Sequence, residues 1–144
     1  GDGPQAEALQ RRIDRADLPV RLLGTRTDVP DLLAAADVAV SAARWEGQPV
    51  WLQEALSVGA PIVATDVGGT KQVLDGAGVL VPGDDTDALG AALSAVLSDE
   101  GLRTDLRARA RVRAAQLPTD RDAAEAALEA YRRAVSACAV RDVD

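Results

Sequence analysis

Two glutamates, Glu46 and Glu54, lie eight positions apart and are the residues best suited to bind a ligand through hydrogen bonds. Glu46 falls in a loop after an apolar run, and Glu54 falls just over one turn into a predicted helix. Pro49 is well placed as the first residue of that helix, since the first helical N–H has no partner within the helix. The free N–H groups near Val50 and Trp51 favour an anion such as a phosphate. A carboxylate on each side of an anion site suits a sugar nucleotide, but the spacing alone is a weak signal.

The absence of histidine excludes several kinds of catalytic and metal site within this chain. No histidine occurs, and Cys138 is the only cysteine. The chain by itself cannot form a Ser-His-Asp triad, a Cys-His pair, a histidine zinc site or an internal disulfide. The net charge of −7 also argues against a nucleic-acid partner, because binding to phosphate backbones requires a basic surface.

Length and composition favour a single domain in a reducing compartment. The chain has 144 residues, of which 47% are hydrophobic, and this is enough apolar material for a core. Aromatic residues make up only 2% and phenylalanine is absent, so the core is expected to consist of Ala, Val and Leu. No segment has the pattern of a signal peptide or a membrane span, and one unpaired cysteine suits a reducing compartment. The predicted localisation is cytoplasmic, and peripheral contact with the inner membrane face through another domain stays open.

Apolar runs alternate with helical periodicities along the chain, which predicts an α/β fold. Strands are expected at residues 20–23, 37–41, 61–65 and 79–81. Helices are expected at 5–16, from about 29, and at 49–58, 70–74, 86–97, 100–116 and 120–139. Strands that alternate with helices pair in parallel, so we expect a Rossmann-like parallel sheet with flanking helices. Asp28 is expected to cap the second helix, and Gly59 is expected to end the third.

Four segments occur in a fixed order with short gaps, and they carry a family resemblance. They are GDGP (1–4), VRLLGTRTDVPDLLAAADVAVS (20–41), ARWEGQPVWLQEALSVGAPIVATDVGG (43–69) and GVLVPGDDTDAL (78–89). Together they resemble the C-terminal, donor-nucleotide-binding domain of the GT-B-fold retaining glycosyltransferases of family 4, also called group 1. The chain departs from the family pattern at three places: Gln48 and Pro49 replace an aromatic-plus-glycine pair, Ala43 replaces a common serine, and Gln72 replaces an acidic residue.

The resemblance implies a partial domain that spans residues 1–144. In the family, GDGP follows a buried strand, so the first strand of the domain is expected to be missing, together with the N-terminal acceptor domain. For the last helix, at 119–139, two interpretations stay open: its apolar stripe packs on its own domain, or it also reaches the missing N-terminal domain. Cys138 belongs to this stripe and is given no chemical role.

The resemblance also assigns roles to individual residues. Glu54 is expected to hold the ribose hydroxyls, and Glu46 is expected to face the donor sugar near the reacting carbon as the catalytic residue. The diphosphate is expected to lie on the backbone of the segment that contains Gly47, Gln48, Pro49, Val50 and Trp51. No metal is implied, because in the family the leaving group is stabilised by helix ends and basic side chains. No cofactor is implied either, because the nucleoside diphosphate sugar is the substrate.

Four further residues have two interpretations each. Arg26 lies in the loop that by resemblance touches the nucleobase, mainly through backbone atoms, or it is an exposed loop arginine. Gly68 and Gly69 line the donor-sugar pocket, or they form a structural turn. Arg44 is a candidate to balance Glu46 or a phosphate.

The predicted function is the donor-binding half of a retaining glycosyltransferase, which transfers a sugar from a nucleoside diphosphate sugar to an unknown acceptor. The isolated chain is expected to be inactive. The alternatives are a non-catalytic nucleotide-binding or interaction module on the same scaffold, and a sugar-nucleotide epimerase of related fold. The start GDGPQA also matches a dinucleotide-binding pattern, but Gly24 and Thr25 stand where the acidic residue for the ribose is required.

Overall fold

A three-stranded parallel sheet forms the centre of the computed structural model, which describes residues 2–141 and their side chains up to residue 136. The strands are β1 (Ala39–Ser41), β2 (Ile62–Thr65) and β3 (Val79–Val81), in the order β1-β2-β3. Within residues 2–141 the helices are α1 (Ala6–Ala16), α2 (Val29–Ala35), α3 (Val50–Val58), α4 (Thr70–Leu74), α5 (Thr86–Ser98), α6 (Glu100–Ala114) and α7 (Asp120–Arg141). This arrangement confirms the predicted Rossmann-like α/β fold.

The central strand β2 pairs in parallel with both of its neighbours and is buried on both faces of the sheet. Its residue Val63 pairs with Val40 of β1 and with Val79 of β3, and all four residues of β2 are buried. Successive strand residues point to opposite faces, so Ile62 and Ala64 join one apolar cluster while Val63 joins another. A strand that is covered on both faces needs a nearly continuous apolar sequence, which is what residues 61–65 provide.

Helices cover both faces of the sheet with small aliphatic residues. On one face, Leu52 and Leu56 of α3 pack with Leu74 of α4, and on the other Val96 of α5 packs with Leu106 of α6. The fully buried hydrophobic side chains are Ala, Val, Leu and Ile, close to the expected aromatic-free core. Burial of a Leu or Val side chain contributes about 1.5–3 kcal/mol, so α3 is held mainly by its apolar face.

The strand predicted at residues 20–23 is not formed, and that prediction is wrong. Val20, Leu22 and Leu23 are exposed, and none of residues 2–141 pairs with this segment in a sheet. The apolar pattern shows only that a segment could be a strand. Its formation requires a neighbouring strand that supplies ladder hydrogen bonds.

The ends of the helices mostly agree with the prediction. Gly59 ends α3 in the left-handed conformation with φ of 75°, as expected for a helix C-terminus. Pro49 is the residue before the helix rather than its first residue, so that assignment is corrected by one position. Asp28 does precede α2, but its side chain makes no capping hydrogen bond.

The apolar stripe of α7 does not pack on the rest of the described chain. Leu128, Tyr131 and Val135 are exposed, with 71% of Tyr131 accessible. The interpretation that this stripe packs on its own domain is therefore wrong, and contact with another domain stays a prediction. The side chain of Cys138 lies outside the described part of the structure. Within residues 2–141, no helix is both long and apolar enough to cross a membrane.

Candidate functional site

Three loops meet at the edge of the sheet where the strands end. Residues 42–49 follow β1, residues 66–69 follow β2 and residues 82–85 follow β3. Because the strands are parallel, their carboxyl ends share one edge, and open α/β sheets bind ligands there. Glu46 lies in the first of these loops, and the helix that carries Glu54 follows directly.

The loop after β1 rests closely on the turn after β2. The Gly69 N–H donates a hydrogen bond to the Gly47 carbonyl at 2.8 Å, and the Thr65 hydroxyl donates to the Ala43 carbonyl at 2.6 Å. A Cβ atom on Gly68 would lie 1.7 Å from the Glu46 carbonyl oxygen. These contacts give the glycine pair a structural role, and its role as a lining of the donor-sugar pocket stays a prediction.

The two predicted carboxylates are free to bind a ligand. The side chain of Glu46 is half-buried and that of Glu54 is exposed. Across the residues described here, neither carboxylate makes a hydrogen bond or an ion pair with the protein. An ionised carboxylate can accept several hydrogen bonds, so both groups retain their full capacity to accept hydroxyl donors.

The N-terminus of α3 has the features of an anion site. No side chain caps this end, and no acidic residue lies in its first turn. The N-termini of α1, α2 and α4 also have no side-chain cap, whereas the carboxylates of Asp85 and Asp99 accept from the first turns of α5 and α6, through the N–H groups of Ala88 and Leu102. The first N–H groups of α3 therefore remain available, and the helix dipole favours negative charge beside them.

Gly47 and Gln48 line a cavity of about 290 Å³ next to this helix end. The only cation among its lining residues is Arg113, which donates to the carbonyl oxygens of Gln72 and Val73 at 2.8 and 2.9 Å. That guanidinium holds the last carbonyl groups of α4, as basic side chains commonly do at helix C-termini. Its first role is thus to stabilise the fold.

The side chain of Arg26 forms an ion pair with a nearby aspartate. Its Nε and a terminal nitrogen bind the two carboxylate oxygens of Asp28 at 2.8 and 2.5 Å. This hydrogen-bonded pair lowers the pKa of the Asp28 carboxyl below its ordinary value. It also explains why Asp28 does not cap α2. Contact between this loop and a nucleobase through backbone atoms stays a prediction.

Arg44 does not pair with Glu46, so that interpretation is wrong, while contact between Arg44 and a phosphate stays a prediction. Its Nε donates to the Asp84 carboxylate at 2.7 Å, so the pair links the loop after β1 to the loop after β3. Both side chains are well exposed, and an exposed pair of this kind adds little stability.

The two tryptophans have opposite surroundings. Trp51 is half-buried and packs against the core cluster. Trp45, directly before Glu46, is 82% exposed. No motif in the sequence singles out Trp45. The sequence feature that distinguishes Trp45 is that it is a large aromatic residue in a polar loop, in a chain that has almost no aromatic residues.

The sequence matches the family model described as glycosyl transferases group 1 over residues 1–99. The lipopolysaccharide core biosynthesis mannosyltransferase LpsB of Rhizobium meliloti is 36% identical over 63% of this chain. The D-inositol 3-phosphate glycosyltransferase of Kineococcus radiotolerans is 37% identical over 88% of this chain. The aligned parts are 28% and 32% of those proteins, so the chain spans about a third of their length.

Solved structures give the same result for the fold. Sucrose-phosphate synthase from Thermosynechococcus elongatus superposes with a TM-score of 0.82 at 25% identity, over 95% of this chain and 36% of that one. Anabaena HepE in complex with UDP superposes with a TM-score of 0.71 at 26% identity, over 76% of this chain and 32% of that one. The chain therefore belongs to the glycosyl transferases group 1, with the Rossmann-like fold of a GT-B C-terminal domain.

Proposed function

We propose that this chain is the donor-binding half of a retaining family 4 glycosyltransferase, which transfers a sugar from a nucleoside diphosphate sugar to an acceptor. One observation carries the proposal: two unpaired carboxylates, Glu46 and Glu54, flank an uncapped helix N-terminus at the carboxyl edge of a parallel sheet. Family membership supports it, and so does the similarity to a protein crystallised with UDP.

The diphosphate binds at the N-terminus of α3. The N–H groups of Val50 and Trp51 point out of the helix, and the backbone of Gly47 and Gln48 approaches the phosphates from the preceding loop. Pro49 is buried at the helix entry and fixes the direction in which those groups point. Backbone donors and the positive end of the helix dipole together stabilise the negative charge that grows on the leaving diphosphate.

Glu54 accepts hydrogen bonds from the ribose hydroxyls. It lies on the exposed side of α3, while Leu52, Ala55 and Leu56 anchor the same helix in the core. A carboxylate accepts from two adjacent hydroxyls well, and hydrogen bonds to a charged acceptor are stronger than those between neutral groups. The rigid helix therefore holds the ribose at a fixed distance from the diphosphate.

Glu46 faces the donor sugar near the reacting carbon. In the proposed retaining reaction, the acceptor hydroxyl attacks on the face from which the diphosphate leaves, and a phosphate oxygen of the leaving group takes the hydroxyl proton. No histidine base is then required in this half. The contribution of this chain is to position the sugar and to stabilise developing charge beside it.

Under this proposal, the remainder of the protein supplies the acceptor site and a basic phosphate clamp, that is, basic side chains that bind the phosphates of the donor. The exposed face of α7 with Leu128, Tyr131 and Val135 would contact that remainder. The rival proposal is a nucleotide-binding module without catalysis. Release of free nucleoside diphosphate coupled to sugar transfer by the full-length protein supports the enzyme, whereas binding without turnover supports the module.

The isolated 144-residue chain is expected to lack transferase activity and to bind nucleoside diphosphates weakly at best. Half of the cleft and the proposed basic clamp would be supplied by other parts of the protein, so both reaction geometry and charge neutralisation would be incomplete. Nucleotide release from UDP- and GDP-sugars should be measured for this chain, with the full-length protein as the control. Turnover by the isolated chain would contradict the two-lobed proposal.

A further inference from the structure

The backbone on both sides of Glu46 is held by the end of β2 and the turn after it. On one side, the Thr65 hydroxyl donates to the Ala43 carbonyl at 2.6 Å. On the other, the Gly69 N–H donates to the Gly47 carbonyl at 2.8 Å. The Glu46 carbonyl itself lies against the α-carbon of Gly68. The loop that carries Glu46 is thus fixed by three neighbours that are close together in sequence.

The carboxylate of Glu46 has no partner of its own in the described structure. A side chain without hydrogen bonds to the protein takes its position from its backbone and from its packing. A change of a few tenths of an ångström in the loop therefore passes directly to the carboxylate. Small misplacements of a catalytic group can lower reaction rates by a large factor.

Two of the supporting residues, Thr65 and Gly68, make contacts that few other residue types could make. Thr65 is only 4% exposed, so its hydroxyl takes the place of water as the donor to the Ala43 carbonyl. Gly68 has φ of +52°, and a Cβ there would lie 1.7 Å from a backbone oxygen, which cannot move by rotating a side chain. Any side chain at position 68 must push the Glu46 backbone away.

We propose that Thr65 and Gly68 are positioning residues for Glu46, and that they set the rate of sugar transfer through the placement of its carboxylate. This inference rests on the proposed function, because it assumes that Glu46 acts on the donor sugar. It predicts that changes at Thr65 and Gly68 lower turnover without a matching loss of nucleotide binding.

The first test replaces Thr65 in the full-length enzyme. Thr65→Val keeps the shape but removes the hydroxyl, and it should lower kcat about tenfold with the donor KM changed less than about twofold. Thr65→Ser keeps the hydroxyl and should restore kcat to within about twofold of the parent. Thermal unfolding of each variant establishes that the protein remains folded.

Thr65→Val made in a Glu46→Gln background distinguishes a positioning role of Thr65 from a general disturbance of the structure. If Thr65 acts through the Glu46 carboxylate, Thr65→Val should change kcat by less than about twofold once that carboxylate is gone. An equal loss in both backgrounds would overturn the inference, as would a failure of Thr65→Ser to restore the rate.

Gly68→Ala tests the steric part of the inference, with Gly76→Ala as its matched control. Both glycines have positive φ, at 52° and 83°, but no atom lies within 4 Å of a Cβ built on Gly76. Gly76→Ala therefore introduces similar backbone strain at the opposite end of the strands, away from Glu46. We expect Gly68→Ala to lower kcat at least about tenfold more than Gly76→Ala. Equal effects would overturn the inference.

The outcomes also distinguish this inference from the proposed function. If Glu46→Gln leaves kcat unchanged, both the role of Glu46 and its positioning by Thr65 and Gly68 are overturned. If Glu46→Gln lowers kcat but Thr65→Val and Gly68→Ala leave it unchanged, only the positioning role of Thr65 and Gly68 is overturned.

Discussion

Glu46→Gln should lower the turnover of the full-length enzyme about a hundredfold, with a much smaller change in nucleoside diphosphate affinity. The substitution keeps the size of the side chain and removes its charge. Under the proposed mechanism the carboxylate lies beside the reacting sugar, where positive charge develops as the bond to the leaving diphosphate breaks. Its contribution is therefore greater in the transition state than in the bound donor.

Single-turnover assays and nucleoside diphosphate titrations on the same variant separate these two effects. Glu100→Gln is a suitable control, because Glu100 lies in the first turn of α6, exposed to solvent and away from the loop after β1. The control should behave like the parent enzyme in both assays. A Glu46→Gln variant that loses nucleotide affinity while its bound complex reacts at the normal rate would contradict the assigned role.

Glu54→Gln should instead weaken nucleoside diphosphate binding by about one to two decades, which corresponds to about 1.5–3 kcal/mol for hydrogen bonds to a charged group. Glutamine retains one acceptor oxygen, but its neutral amide accepts less strongly from the ribose hydroxyls and presents an N–H₂ group to one of them. The rate of the bound complex should change less, because the ribose lies away from the reacting carbon.

Calorimetric titration of the parent and of Glu54→Gln with UDP and with GDP measures this loss directly. Comparison with the matching 2′-deoxynucleotide strengthens the assignment, since removal of a ribose hydroxyl should cost the parent more affinity than it costs the variant. If Glu54→Gln leaves the affinity unchanged while Glu46→Gln lowers it, the roles of the two glutamates are reversed.

The parts of the fold that follow from local sequence were predictable. Residues 61–64 are apolar without interruption, which favours burial on both faces, and the structure buries all of β2. The glycine at 59 follows the last apolar residue of a helical pattern and ends α3 in the left-handed conformation. The resemblance to the glycosyl transferases group 1 was confirmed by the match of residues 1–99 to that family.

The predictions that failed concern contacts between residues that are distant in sequence, which a local sequence pattern cannot reveal. Residues 20–23 have a strand-like composition, but a strand requires a ladder partner, and none of residues 2–141 supplies one. The pairing of Arg44 with Asp84 joins positions that are 40 residues apart, so spacing near Glu46 gave the wrong partner. The sequence likewise showed a Gly-Gly turn without showing that the Glu46 carbonyl lies against it.

The placement of the candidate site was only partly predictable for a related reason. The sequence put Glu46 after a strand and Glu54 on a helix, and the structure agrees with both positions. It could not show that both carboxylates would lack protein partners, because Arg44, the basic residue nearest to Glu46 in sequence, pairs with Asp84 instead. We predict that the side chains of Glu46 and Glu54 open onto one crevice at the carboxyl edge of the sheet, which a structure with a bound ligand would test.

A crystal structure of the full-length enzyme with a bound nucleoside diphosphate tests the central claim most directly. We predict that the terminal phosphate lies within hydrogen-bond distance of the first N–H groups of α3, at Val50 or Trp51, and that the ribose hydroxyls contact the carboxylate of Glu54. Glu46 should face the space beyond the terminal phosphate, where the donor sugar is attached. A diphosphate bound elsewhere, or a ribose that makes no contact with Glu54, would contradict the account.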